Sequence, residues 1–279
     1  MPELPEVETV VRELRPLLVG KRLTAVRTSK HSLRTKWLKA WEVQLIGNRI
    51  GAIRRRGKWI LVDLDVGGLL VLHLGMTGQL RVLPTSADLE NHTHLTFDLD
   101  EGAEQWRFRD IRRFGSAALF QDESDWAASL GQPLGPEPFD LTADDWKQSL
   151  AKTKRCLKAV LLDQSIVAGV GNIYADESLF QAKLHPTLPG DQTKPKEAER
   201  LRRAIVDVLT RAIEGRGSTI RNYVGGSGLQ GSFQNEFRVY GRTGKPCGRC
   251  RTPIECIRLA GRSTHFCPKC QARSPEARG

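Results

Sequence analysis

The chain has 279 residues, 39% hydrophobic and 27% charged, with a net charge of +11 and a pI near 9.6. That length and apolar content suit one large or two ordinary domains with a real core, and exclude a disordered or collagen-like chain. The charge surplus exceeds what solubility requires and points to a polyanion partner, nucleic acid first.

No apolar run approaches about 18 residues, so no membrane-spanning helix is expected. The start lacks the basic-then-apolar order of a signal peptide. A reducing cytoplasm is the expected setting, where six cysteines read as metal ligands or free thiols rather than disulfides.

The chain opens Met1-Pro2-Glu3-Leu4-Pro5-Glu6. With Met1 removed, Pro2 becomes a secondary-amine terminus with the Glu3 carboxylate beside it. An α-amine titrates near about 8, so a useful fraction is free base at neutral pH. Amines of this kind form Schiff bases with carbonyl carbons, and a proline can give only the cationic iminium. The plainer alternative is that Pro2 and Pro5 merely start a helix. Val7, Val10, Val11, Leu14, Leu17 and Leu18 recur at helical spacing and Gly20 follows as a stop. An amphipathic helix would therefore anchor the terminus.

From Arg22 to Phe120 short alternating or apolar runs are separated by Gly and Asp. They predict strands at 23–28, 49–56, 59–64, 69–74, 80–83, 94–99, 105–108 and 116–120, in an antiparallel sandwich or barrel. Three stretches inside it bear on function. Gly57-Lys58 forms a turn between two strands and presents one ammonium, with a solvated basic hairpin as the alternative. His73-Leu74-Gly75-Met76-Thr77-Gly78 sets a methionine on a glycine-flanked turn, where it reads as a projecting apolar wedge or a gap-filler. Arg109 to Gly115, with Arg112 and Phe114, suits phosphate contact and base stacking. His92 and His94 are expected to share one strand face and to meet phosphate or base rather than metal.

The Pro- and Gly-rich segment around 131–138 is the clearest linker, and beyond it the pattern turns helical. Thr142 caps a helix over 143–151, a basic cluster including Lys154 follows, and Lys158 lies in a further helical stretch over 157–162. Gly169-Val170-Gly171-Asn172 leads into another helix, whose free amides suit an anion. No strand precedes it, so it is not a dinucleotide fingerprint. Residues 195–214 form a long amphipathic helix. The glycine-rich stretch 218–232 is expected to be a mobile loop covering a site, or a plain connector.

Cys247-Gly248-Arg249-Cys250 and Cys267-Pro268-Lys269-Cys270 are separated by sixteen residues. Two thiolate pairs at this spacing predict one tetrahedral structural zinc ion with no open catalytic position. Cys156 and Cys256 fall outside the pattern.

Taken in order, the Pro-Glu-Leu-Pro-Glu-Val-Glu start, the His-Leu-Gly-Met-Thr-Gly turn, Arg-Arg-Phe-Gly, Gly-Asn-Ile-Tyr-Ala-Asp-Glu and the four-cysteine end closely resemble bacterial formamidopyrimidine-DNA glycosylase. The resemblance implies an α+β multidomain fold: an N-terminal antiparallel β-sandwich with flanking helices over 1–130 and a hinge over 131–140. A helix–two-turn–helix DNA-binding domain with its lesion-capping loop would cover 141–235, and a zinc finger 236–279. It implies base-excision repair of oxidised purines (8-oxoguanine and formamidopyrimidines) in double-stranded DNA, by a cytoplasmic, nucleoid-associated monomer.

Carried over by motif, Pro2 is the nucleophile, Glu3 the acid/base partner, Lys58 the β-elimination proton carrier and Arg262 the δ-elimination residue. Asn172 binds phosphate. Met76, Arg112 and Phe114 fill the gap left by a flipped nucleotide. His92, Lys154 and Lys158 are further DNA contacts, although Thr153 interrupts the basic run. Ile111 stands where the family often has Pro. Two rivals stay open on sequence alone. Endonuclease VIII is disfavoured by Leu4 and by the Met, Arg, Phe set. A non-catalytic zinc-finger DNA binder leaves the Pro2-Glu3 pair unexplained.

Overall fold

The computed structural model describes residues 1–218 and 231–272. Two compact units emerge: Met1–Pro133 with the described part of Gly215–Ser232, and Leu134–Glu214 with the described part of Phe233–Gly279. Among the described residues no helix is long and apolar enough to cross a membrane.

The first unit begins with α1 (Leu4–Leu18) and β1 (Leu23–Thr28), then α2 (Lys39–Leu45). Seven further strands follow: β2 (Ile50–Arg56), β3 (Trp59–Leu64), β4 (Leu69–His73), β5 (Gly78–Pro84), β6 (Thr93–Leu99), β7 (Glu104–Asp110) and β8 (Ser116–Phe120). The strands form two antiparallel four-stranded sheets, ordered β1-β6-β7-β5 and β2-β3-β4-β8. Alternation along each strand sends Ile53, Val62 and Leu72 from one sheet and Phe97, Trp106 and Phe108 from the other into one shared core.

Helix α1 completes that core. Leu4, Val7, Val10, Val11, Leu14 and Leu18 are essentially fully buried, whereas Leu17, which the helical spacing also assigned to this face, is 43% exposed. Each such side chain contributes about 1.5–3 kcal/mol relative to exposure. The amino terminus is therefore held by a whole buried helix face rather than left to fray.

After α3 (Glu123–Ser129), which still belongs to the first unit, the second unit contains α4 (Ala143–Ala151), α5 (Leu157–Leu162), α6 (Asn172–Gln181) and α7 (Pro195–Glu214). The Thr142 hydroxyl accepts from the Asp145 amide at 3.1 Å and caps α4 as its sequence predicts. α7 buries Leu201, Ile205, Val208 and Leu209. The hairpin of β9 (Glu255–Leu259) and β10 (Arg262–Phe266) turns through Ala260 and Gly261, both at positive φ. Its small core joins Phe180 of α6 to Val239, Ile254, Cys247 and Cys267, so the four-cysteine region packs within the same unit as the helices.

Candidate functional site

Glu3 is the N-cap of α1 and enters a reciprocal capping box with Glu6. The Glu3 amide donates to Glu6 Oε2 at 2.8 Å, while the Glu3 carboxylate accepts from the Glu6 amide. Both carboxylates are almost wholly buried. Glu6 Oε1 accepts further bonds from the Ser218 amide (2.7 Å) and hydroxyl (2.9 Å). Gly217 has φ +72°, and a Cβ there would lie 3.0 Å from Glu6 Cγ, so any other residue would be both strained and crowded against Glu6. Residues 219–230 of the predicted covering loop lie outside the described residues.

Lys58 sits at the turn joining β2 to β3, after Gly57 at φ +58°. It is only 7% exposed, which removes the solvated-hairpin alternative. Arg55 fixes the turn against the amino-terminal helix. Its Nε donates to Glu8 Oε2 at 3.0 Å and one terminal nitrogen to the Gly57 carbonyl at 3.1 Å. Burial opposes ionisation of Glu8, but bonds from Arg12 and Arg55 overcome it and hold that carboxyl below its usual range. His73 packs against Trp59, with ring centroids 4.6 Å apart. Burial first, then the positive charges of Lys58 and Arg34, push its imidazole down to about 4. At neutral pH Lys58 therefore has an uncharged neighbour, and Pro2, Glu3 and Lys58 are set by α1 and a turn tethered to it.

A second group gathers around Asp110, which is fully buried. Its carboxylate accepts from the Thr77 hydroxyl, from the Arg112 amide at 3.2 Å and from the Gly115 amide at 2.7 Å. The loops 74–78 and 110–115 are thus clasped together. A Cβ on Gly75 would fall 2.4 Å from the Phe114 carbonyl carbon. Held up by this base, Met76 and Phe114 are 39% and 45% exposed, and the Arg112 guanidinium lies 4.6 Å from the centre of the Phe114 ring. Met76 is a projecting residue and not a gap-filler. Asp110→Ala should cost about 3 kcal/mol or more, since buried donors lose their acceptor. Urea denaturation of the variant measures this, and an unchanged midpoint would contradict the clasp.

His92 is exposed beside this group, but the expected shared face with His94 is not observed. His92 has φ +68°, which breaks the strand alternation before β6 begins. His94 turns inward instead, 2.9 Å from Ser29 Oγ and 3.1 Å from the Asp110 carbonyl.

In the second unit, Asn172 begins α6 and its Nδ2 donates to the Ser263 carbonyl at 3.0 Å. Ser263 adjoins Arg262, which is exposed at the start of β10. Lys154 is exposed in the segment between α4 and α5. Lys158 is not available as a DNA contact. It is fully buried, with Nζ 2.6 Å from Asp176 Oδ1 and 2.9 Å from the Asn172 carbonyl. Its place in a basic cluster suggested a surface, whereas helical phase turns it into the core.

The sulfurs of Cys247, Cys250, Cys267 and Cys270 all lie within 4.8 Å of one another. Cys250 to Cys267 is 3.4 Å and Cys247 to Cys270 is 3.9 Å. Zn–S bonds of about 2.3 Å in a tetrahedron require sulfurs about 3.8 Å apart, so the set fits zinc. Burial pushes the Cys267 and Cys270 thiols up, the latter to about 12, while the Thr252 hydroxyl and amide bring Cys250 down to about 6. A divalent cation is what allows all four to ionise together.

Residues 1–117 match the family model of the formamidopyrimidine-DNA glycosylase N-terminal domain, 134–224 that family's H2TH domain, and 244–273 the zinc finger found in FPG and IleRS. The formamidopyrimidine-DNA glycosylase of Herpetosiphon aurantiacus is 44% identical over 276 residues, covering 98% of this chain and 100% of the relative. That of Geobacillus kaustophilus is 43% identical, covering 97% and 100%. A Lactococcus lactis FPG mutant in complex with Fapy-dG containing DNA superposes with a TM-score of 0.90 at 38% identity, covering 98% of this chain and 100% of that one. MutM in complex with carbocyclic 8-oxo-G containing DNA gives 0.89 at 37%, with the same coverage.

Proposed function

The chain belongs to the formamidopyrimidine-DNA glycosylase family, and from that premise we propose how its own residues perform the reaction. It is a base-excision repair enzyme that releases oxidised purines from duplex DNA and, as an AP lyase, nicks the strand. A structural zinc on the four cysteines stiffens the β9–β10 hairpin.

With Met1 removed, the Pro2 nitrogen attacks C1′ of the damaged nucleotide as the base departs. Glu3, fixed by its capping box, protonates the sugar ring oxygen, and the ring opens to an iminium. That cation acidifies the C2′ proton. Loss of the proton, with Lys58 as carrier, expels the 3′ phosphate. A second elimination assisted by Arg262 expels the 5′ phosphate. The observation carrying this reading is the double tether: α1 positions Pro2 and Glu3, and Arg55 ties the Lys58 turn to that helix.

Reaching C1′ requires the nucleotide to leave the stack. Met76, Arg112 and Phe114 fill the space it vacates, and the clasp at Asp110 gives them a rigid base. His92, Lys154 and Asn172 hold phosphates. By function the chain divides into 1–130, 131–140, 141–235 and 236–279, with the finger folding into the same compact unit as the helices, and the protein works as a monomer on the bacterial nucleoid.

The test is borohydride trapping on a duplex bearing one 8-oxoguanine opposite cytosine. A covalent adduct mapped to the residue 2 amine, with strand ends retaining both phosphates, is expected. A protein that binds this duplex yet neither cross-links nor releases the base would instead be a zinc-dependent DNA binder.

A further inference from the structure

Asp176 has no part in the reaction as derived, yet it is fully buried and fully engaged. Its Oδ1 takes the Lys158 ammonium at 2.6 Å. Its Oδ2 takes the His265 amide at 2.9 Å and lies 3.1 Å from His265 Nδ1. Lys158 in turn reaches the Asn172 carbonyl. One carboxylate therefore connects three elements: α5 through Lys158, the start of α6 through Lys158 and Asn172, and β10 through His265. Asn172 Nδ2 closes the ring on the Ser263 carbonyl.

A buried ion pair is a weak source of net stability, because desolvating both charges offsets their attraction, and its best-attested role is fixing geometry. Here the geometry fixed is the spacing between Asn172 and Arg262, three residues before His265 on the same strand. We propose that Asp176, with Lys158, is a positioning residue pair that holds the α6 amino terminus and the Arg262 strand in register, so that both grip the phosphates flanking the lesion. This rests on the roles assigned above to Asn172 and Arg262. It adds a reason for the buried lysine that the DNA-contact reading of the basic cluster could not supply.

Asp176→Asn keeps oxygen and shape but removes the charge. Because it leaves the Lys158 ammonium buried without a counter-charge, the double variant Lys158→Met/Asp176→Asn is made alongside it. That variant buries no ion and retains an acceptor for the His265 amide. Both are assayed at single turnover on abasic-site DNA, with zinc content, binding affinity and the ratio of δ- to β-elimination products recorded. The expected result is one zinc per chain, near-native β-elimination at saturating enzyme, and δ-elimination slower by about tenfold to a hundredfold, the scale of a small misplacement of a reacting group. Affinity should fall in parallel. A folded, zinc-loaded double variant whose affinity and product ratio stay within about twofold of the parent overturns the proposal. So does one that loses zinc and melts, which would make the network purely structural. Arg262→Ala separates the premise: if it leaves δ-elimination intact, the role of Arg262 is wrong, and the affinity measurement alone then judges the register of Asn172.

Discussion

A chain that keeps Met1 should neither release 8-oxoguanine nor form a borohydride-stable adduct, although it folds and binds DNA. Retention of Met1 turns the Pro2 nitrogen into a tertiary amide whose lone pair is delocalised into the carbonyl. Such a nitrogen cannot attack C1′. Nothing in the fold should register the change, because α1 is anchored by Leu4, Val7, Val10, Val11, Leu14 and Leu18 and by the Glu3–Glu6 capping box, none of which involves Met1, itself 54% exposed. The loss should exceed about 10⁴-fold, as when a covalent nucleophile is deleted from an enzyme. Glu3→Gln is the matching acid/base test. Glutamine keeps a side-chain oxygen to accept from the Glu6 amide but cannot deliver a proton, so a fall of about 10² to 10⁴ is expected. Intact mass spectrometry sorts processed from unprocessed chains, and single-turnover excision compares them. Equal rates from both forms would remove Pro2 from the mechanism.

What could be read in the sequence was short-range. The helices at Ala143–Ala151 and Pro195–Glu214 begin and end where caps and apolar periodicity place them. The strands fall within a residue or two of their alternating runs, and the cysteine pairs announce a metal through spacing alone. What escaped depends on partners far apart in the chain. Lys158 looked like one more base in a cluster because its counter-charge, Asp176, lies on another helix. Asp110 sat unremarked inside an arginine-rich loop because its donors, Thr77 and Gly115, reveal its task only once two loops meet. Arg55 and Glu8 show no pattern linking them until β2 packs against α1. His92 misled for a local reason: a positive φ cancels the alternation on which shared-face arguments depend.

Removing zinc, by chelation or by Cys250→Ser, should unfold the β9–β10 hairpin and weaken binding to abasic-site DNA by about a hundredfold or more, while the sandwich unit keeps its cooperative melt. The apolar cluster under the finger comprises Phe180, Val239, Ile254 and two of the cysteines themselves, and a module below about 40 residues rarely holds together without a metal or disulfides. Zinc binding to such modules is worth about 10–16 kcal/mol at neutral pH, and that binding energy is the folding energy. Once it is lost, the freed thiols reclaim protons at neutral pH, because an ordinary cysteine titrates near about 8.5. Acid acts in the same direction, because protons compete with the metal for sulfur. Unfolding the hairpin takes Arg262 from its place and frees Ser263 and His265 from Asn172 and Asp176, so both proposed phosphate grips fail together. That loss is larger than removal of the Arg262 side chain alone would cause. Zinc content, far-ultraviolet dichroism and anisotropy binding on one set of samples decide the matter. A zinc-free chain that binds the abasic duplex as well as Arg262→Ala does would show that the finger contributes only that one side chain.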